Sequence, residues 1–244
     1  MLLPEELKRY GFQRKLKLIE QIWLDYLQDH LLALLYRNYH NFLFRGGTCI
    51  WKVYDGERFS EDLDLAREDI PSDLAEYLLE ELELFGFSVV VDKERETSSM
   101  YHLRLGVNRP DTDSTTPLSL EILKDSVSEE KITRREIHSP YPDLPKIDVK
   151  TLTQDAILLE KISAVCDRNR PRDMHDIYRL LKNGASVKLE EVKRHRKNFT
   201  VEKFEESLDR KKGEWKGLKA LMVGKLPEFK EEKQYIMQKF NKNQ

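Results

Sequence analysis

The sequence predicts an α+β fold in which a mixed β-sheet core with flanking helices is followed by a C-terminal helical part. Two features of the 244-residue chain indicate this class. Short segments in which apolar and polar residues alternate occur between residues 41 and 124, as in half-buried strands. Apolar residues spaced three and four apart dominate the stretches before and after them, as in amphipathic helices. We therefore expect a core over residues 1–150 and a helical part over residues 151–244.

The core elements follow from local patterns of apolar, capping and turn residues. In chain order they are a helix over residues 12–36, a strand over 41–44, a short helix over 48–54, a strand over 59–66, a helix over 72–85, and strands over 87–95, 98–107 and 118–124. Ser72 is the expected cap of the third helix, and Gly86 its stop.

The helical part begins after Pro145. Thr151, with Gln154 three residues later, predicts a capping box at the start of a helix. Pro171 and Gly184 mark the first turn and the end of the next helix. From Leu189 onward the chain reads as helical and highly charged.

Composition excludes several classes of protein. The residues are 39% hydrophobic and 35% charged, as in a well-solvated globular protein. No apolar run approaches the roughly 20 residues of a membrane span, and the N-terminus lacks the order of a signal peptide. The two cysteines are too few for a disulfide framework. We therefore expect a cytoplasmic protein that does not bind membranes.

Charge is distributed unevenly along the chain. Residues 186–244 carry 16 Lys and Arg against 10 Asp and Glu, a net charge of +6, whereas the preceding residues carry −8. This basic part could hold a polyanion, or it could be a solvated helical surface without a partner.

The segment FRGGTCIWKVYDGERFSEDLDLA, residues 44–66, contains the main candidate site. On a strand, Asp62 and Asp64 project to the same side, which suits a divalent cation between them. Glu121 is the best third acid, because it lies among apolar residues in a predicted strand, where an unpaired charge is costly.

A glycine turn precedes the two aspartates. Gly46 and Gly47 allow close approach of a ligand to backbone N–H groups at a helix start, and Thr48 adds a hydroxyl. A metal site and a phosphate-binding turn together indicate phosphoryl or nucleotidyl transfer.

These residues resemble the DNA polymerase β-like nucleotidyltransferase superfamily. More narrowly, RGGTCIWKVYDGERFSEDLDL and LLEKISAVCDRNRPRDMHDIYRLL are similar to two motifs of the AbiEii/AbiGii toxin family. The resemblance spans residues 41 to about 183 and implies a nucleotidyltransferase-like fold. It also implies a toxin that moves a nucleoside monophosphate from a nucleoside triphosphate (NTP) to RNA, such as a tRNA 3′ end. An antitoxin partner is implied as well.

The resemblance assigns roles to individual positions. Asp62, Asp64 and Glu121 would be catalytic and would bind Mg²⁺ or Mn²⁺. Lys161, Asp173 and Asp176 would also be catalytic. The nucleotide would contact Gly46, Gly47, Thr48, Ser60 and Lys161. Arg45 departs from the lysine that the family pattern places before the glycines.

Other interpretations remain at this stage. The same site could modify a protein or a small molecule, or the chain could be a catalytically silent module that binds RNA or a partner. Asp173 could do no more than stabilise the positive N-terminal end of the helix that Pro171 opens. Asp176 could pair with Arg172 or Arg179, which lie at helical spacing.

Overall fold

The structure is a computed structural model that describes residues 1–110 and 112–241. Its helices have the following bounds: α1 Pro4–Gly11, α2 Ile19–Asn38, α3 Gly46–Val53, α4 Leu74–Leu84, α5 Gln154–Asp167, α6 Pro171–Lys182, α7 Leu189–His195, α8 Val201–Asp209 and α9 Phe229–Asn241. Three 3₁₀ segments cover Phe12–Arg14, Glu129–Lys131 and Arg210–Leu221. Within the described ranges, no helix is long and apolar enough to cross a lipid bilayer.

The strands of the described residues form one seven-stranded mixed sheet. They are β1 Leu43–Arg45, β2 Leu63–Ala66, β3 Val89–Glu96, β4 Met100–Asn108, β5 Thr115–Leu123, β6 Ile132–Ile137 and β7 Ile147–Leu152. Their spatial order is β3-β4-β5-β2-β1-β7-β6. The pairs β2–β5 and β1–β7 are parallel, whereas β1–β2, β3–β4 and β4–β5 are antiparallel. The mixed sheet with flanking helices confirms the predicted fold class.

The chain forms two compact units. The first comprises Met1–Val53 and Phe59–Thr151 and contains most of the sheet. Its core includes Trp23 of α2, which is fully buried. The second comprises Tyr54–Arg58 and Leu152–Gln244, and its described elements between Gln154 and Asn241 are α-helices and one 3₁₀ segment. Whether residues 1–150 and 151–244 are separate domains stays a prediction.

The predicted helix over residues 12–36 is wrong in its first part. A short helix, α1, ends at Gly11, and Lys15 then adopts a left-handed conformation with φ of 60°. Phe12, expected in the core, is 58% exposed. The regular helix begins only at Ile19, because the left-handed turn interrupts the apolar repeat.

Three boundaries also differ from prediction. The strand expected over residues 59–66 starts at Leu63, so Asp62 precedes it. The expected caps Ser72 and Thr151 are replaced by Asp73 and Thr153. Thr151 lies in β7, where its hydroxyl donates to the Phe44 carbonyl at 2.8 Å and is unavailable for capping. The strands β6 and β7 were not predicted.

Candidate active site

The turn between β1 and α3 depends on a glycine. Gly46 begins α3 with φ of 74°, a conformation that other residues rarely adopt. A β-carbon at this position would lie 1.9 Å from Oδ2 of Asp64. The glycine therefore allows the Asp64 carboxylate to lie against the start of α3, where free N–H groups and the helix dipole favour negative charge. Gly47 follows within the same helix and is buried.

Thr48 links α3 to the segment that precedes β2. Its side chain is fully buried, and its hydroxyl donates a hydrogen bond to the backbone carbonyl of Asp62. The same segment is also held by Gln28, whose Nε2 donates to the carbonyls of Ser60 at 2.9 Å and Glu61 at 2.8 Å. The hydroxyl hydrogen of Thr48 is thus used inside the protein, where it fixes the backbone of Asp62.

The acidic residues of β2 and β5 are register partners. Asp64 is aligned with Glu121 on the parallel neighbour and with Arg45 on the antiparallel neighbour. Aligned residues of neighbouring strands project from the same face of a sheet, and the next residue along a strand projects from the other. Accordingly, Leu63 and Leu65 are fully buried on the opposite face. The structure therefore brings Asp64 and Glu121 together on one face.

The three predicted metal ligands are all partly exposed. Asp62 lies one residue before β2, whereas Asp64 and Glu121 lie within strands. In the part of the chain that the structure describes, no group of three His, Cys, Asp or Glu residues is arranged to hold a metal ion. Carboxylate oxygens nevertheless suit Mg²⁺, which commonly takes one or two carboxylates and completes its shell with water and substrate phosphates. The residues therefore fit an ion shared with a bound triphosphate, and their role as ligands stays a prediction.

A second charged cluster lies in the helical unit, on α5 and α6. The Lys161 side chain is 8% exposed, and its Nζ lies 2.7 Å from Oδ2 of Asp176 and 3.3 Å from Oδ1 of Asp173. The two aspartates are almost completely buried. The lysine and the two aspartates of the second motif therefore meet, as packing of the two helices would allow.

Two arginines complete this cluster, and each binds one aspartate through two hydrogen bonds. Arg58 donates from Nε and Nη2 to Asp176 at 2.7 and 2.6 Å. Arg168 donates from Nε and Nη2 to Asp173 at 2.7 and 2.8 Å. Such two-pronged pairs fix the orientation of a carboxylate as well as its charge. We call these four residues, together with Lys161, the lysine cluster.

The lysine cluster keeps its aspartates ionised. Burial alone would raise the pKa of Asp176, but the charges of Arg58 and Lys161 outweigh it and hold that pKa below its usual value. For Asp173, burial also acts to raise the pKa, and the hydrogen bond from Arg168 and the Lys161 charge lower it overall. Three cations against two carboxylates give the cluster a net charge of +1.

The second motif follows the first in the sequence, and within the helical unit the structure brings its lysine together with the aspartates of its Arg-Asp-x-x-Asp segment. A family model described as nucleotidyl transferase AbiEii toxin, type IV toxin–antitoxin system, matches residues 33–240. The chain belongs to the AbiEii family. It is therefore a nucleotidyltransferase of a family of type IV toxins, with an NTP as its substrate.

Solved structures share the fold of this AbiEii chain. JHP933 from Helicobacter pylori is 16% identical with a TM-score of 0.60, and 91% of each chain is covered. MenT4, a nucleotidyltransferase toxin from Mycobacterium tuberculosis, is 17% identical with a TM-score of 0.54. That alignment covers 98% of this chain and 89% of the other. No curated protein sequence matches the chain.

Sequence reasoning missed the partner of Asp176 in this AbiEii chain. Neither Arg172 nor Arg179 at helical spacing binds it, and Arg179 instead pairs with Glu57 at 3.0 Å. The partner Arg58 lies 118 positions away in sequence, and helical spacing does not predict pairs at such separations. The sequence did contain a signal for this partner, since Arg58 lies two residues before Ser60 within the first motif, which gives this cation no other function.

Lys211 was also missed. Its side chain is fully buried, and its Nζ donates to the carbonyls of Val165 at 2.9 Å and Arg168 at 2.7 Å. These carbonyls lie at the C-terminal end of α5, where helix carbonyls lack partners within the helix. Lys211 therefore fixes the backbone of the arginine that binds Asp173.

Proposed function

We propose that the chain transfers a nucleoside monophosphate from an NTP to a hydroxyl of RNA, such as the 3′ end of a tRNA. In this proposal the transfer requires Mg²⁺ or Mn²⁺ and inhibits growth until a cognate antitoxin neutralises the enzyme. The observation that carries the proposal is the alignment of Asp64 with Glu121 on one sheet face, with the Asp64 carboxylate against Gly46.

The strand acids would serve the reacting atoms. Asp62 and Asp64 would bind the metal ion, which when bound neutralises charge on the triphosphate. Glu121 would accept the proton of the acceptor hydroxyl as its oxygen forms a bond to the α-phosphorus. The bond from that phosphorus to the bridging oxygen breaks, and pyrophosphate leaves with the bonding electrons.

The phosphates would be bound by N–H groups and by Lys161. Gly46 and Gly47 lie at the start of α3, where N–H groups favour phosphate. Thr48 and Ser60 would shape this turn, Thr48 through its bond to Asp62. Of the three hydrogens on the Lys161 ammonium, two are directed to aspartates, which leaves one for a phosphate oxygen.

The test uses each of the four NTPs, labelled at the α-phosphate, with Mg²⁺ and either total RNA or total protein. We expect label in RNA, with pyrophosphate released in equal amount, and none with Asp64→Asn. Label that enters protein instead would exclude RNA as the acceptor. Transfer that persists in EDTA would contradict the metal requirement, and transfer by Asp64→Asn would contradict the assigned site.

A further inference from the structure

A basic cavity lies in the helical unit, between the C-terminal end of α5 and the start of α8. Its volume is about 470 Å³. Four cationic side chains line it, those of Arg196, Lys197, Lys203 and Arg210, and we use the name basic cavity for this site. It belongs to the basic sequence region 186–244, to which the proposed chemistry assigns no role.

The positive charge of the basic cavity is only partly compensated. Glu206 is the one carboxylate among its described lining residues. Arg196 pairs with Asp167 just outside, at 2.6 Å from Nη1 to Oδ1. Lys197 and Lys203 are exposed and form no ion pair with any described residue. Like charges that line a concave site focus their field there and raise the local concentration of anions.

Part of the basic cavity is held in place. Arg210 donates from Nη2 to Oγ of Ser207 at 2.8 Å and to the Cys166 carbonyl at 3.4 Å. The Ser207 hydroxyl in turn donates to the Lys203 carbonyl at 2.8 Å. Asn198 adopts a left-handed conformation with φ of 65°, in the turn between the lysines. An anion would therefore meet one oriented guanidinium, Lys197 on a defined turn and Lys203 in the first turn of α8.

The lining favours a phosphate backbone over a protein partner. Protein interfaces are depleted in lysine and expose aromatic side chains at their centres. The basic cavity presents lysines, and its aromatic residues Phe199 and Phe204 are buried, with 6% and 0% exposure. Contacts of Lys, Arg and Asn with phosphate oxygens are the commonest contacts in nucleic-acid complexes.

We propose that the basic cavity binds phosphodiester groups of the acceptor RNA. This inference rests on the proposed function, because it supplies the backbone contacts that an RNA acceptor requires. The same chemistry would accept inorganic phosphate, so the test must separate a polynucleotide from the free ion.

The decisive pair of variants changes charge equally in two places. Lys197→Ala with Lys203→Ala removes the two lysines of the basic cavity. Lys216→Ala with Lys219→Ala removes two exposed lysines that do not line it. Binding of fluorescent tRNA is measured by anisotropy without NTP, from 50 to 200 mM salt, and circular dichroism melting checks the fold of each variant.

We expect the cavity variant to bind RNA about tenfold more weakly at about 0.1 M salt. The slope of the logarithm of the binding constant against the logarithm of the salt concentration should become shallower by about 1.4, because each lost contact with single-stranded RNA contributes about 0.7. The control variant should change less than twofold. NTP binding measured by calorimetry, and the transfer rate at saturating RNA, should stay as in the wild type. Inorganic phosphate at matched ionic strength should not displace the RNA.

Several outcomes would overturn the inference. Equal losses of RNA affinity in the two variants would show that RNA responds only to the overall positive charge of the protein. No loss of affinity in either variant would show that RNA does not bind in the cavity. Displacement of RNA by inorganic phosphate at matched ionic strength would assign the site to the free ion. Absence of RNA binding by the wild type would also refute it. Nucleotide transfer to protein with normal NTP binding would refute the RNA acceptor while leaving the transferase chemistry intact.

Discussion

Replacement of Arg58 by methionine tests the lysine cluster most directly. The side chain of Arg58 is 3% exposed and donates two charged hydrogen bonds to Asp176, whose side chain is 2% exposed. Methionine fills a similar volume but leaves Asp176 with Lys161 alone, at 2.7 Å. A buried carboxylate that loses a partner keeps its desolvation cost.

The expected destabilisation follows from this geometry. Removing one partner of a buried ion pair costs about 3–5 kcal/mol, and the remaining contact with Lys161 places Arg58→Met at the lower end, about 3 kcal/mol. For a chain of this size, about 2–4 °C of melting temperature corresponds to each kcal/mol, so the midpoint should fall by about 6–12 °C.

The loss should depend on pH in a defined direction. The pKa of Asp176 is lowered in the folded protein from its usual 3.8, so its ionised form contributes stability above that value and loses it as pH falls. The difference in unfolding free energy between Arg58→Met and the wild type should therefore be largest above about pH 5 and should shrink below about pH 4.

Urea unfolding followed by circular dichroism at several pH values is the assay. The matched control is Arg134→Met, which breaks an exposed pair with Asp148 at 3.3 Å and should change stability by less than about 1 kcal/mol. If Arg58→Met changes the unfolding free energy no more than this control does, the buried pair does not stabilise the helical unit and the reasoning fails.

Three further predictions concern the turn, the metal site and the end of α5. Gly46→Ala should cost about 2 kcal/mol or more, since it forces a positive φ and a contact with Asp64, and should abolish transfer. Gly213→Ala, where an added β-carbon meets nothing within 4 Å, should change stability by less than about 0.5 kcal/mol, and equal effects would contradict the argument. Asp62→Ala should abolish labelled-nucleotide transfer while melting as the wild type does, and residual transfer above a tenth of the wild-type rate would be inconsistent with its role. Lys211→Met should cost about 2–3 kcal/mol in urea unfolding, because two carbonyls at the end of α5 lose their donor, and an unchanged midpoint would show that water replaces it.

Local signals predicted some of these elements well. Pro171 occupies the first position of α6, and Gly184, with φ of 94°, lies just after its end. Both residues act locally, within a few residues of the helix ends that they mark. Turn and alternation patterns also predict the short helix after the glycine turn and the strand containing Asp64, although the helix starts at Gly46 instead of Thr48 and the strand at Leu63 instead of Phe59. Such signals depend on backbone preferences that are present in any context.

Competing local signals explain the missed strand β7. Ile147, Val149 and Thr151 alternate and are buried, which is a strand pattern. The same Thr151 with Gln154 also fits a capping box, which predicts a helix start at this position. The structure uses Thr153 instead, whose Oγ1 accepts from the Ala156 N–H at 3.3 Å. Sheet pairing with β1 decided between the two, and pairing partners cannot be identified from local sequence.

Charge balance differs between the lysine cluster and the strand acids. The lysine cluster retains a net charge of +1, and the 44% exposed Arg168 lets part of that charge reach solvent. Its aspartates orient the cations without cancelling their total charge, which is consistent with the phosphate-binding role proposed for Lys161. Asp62, Asp64 and Glu121 form the reverse case, with three carboxylates and the register partner Arg45. Under the proposed function these carboxylates bind a cation and Lys161 binds phosphate, so Asp64→Asn should weaken binding of Mn²⁺ with NTP, whereas Arg58→Met should weaken NTP binding with or without the metal.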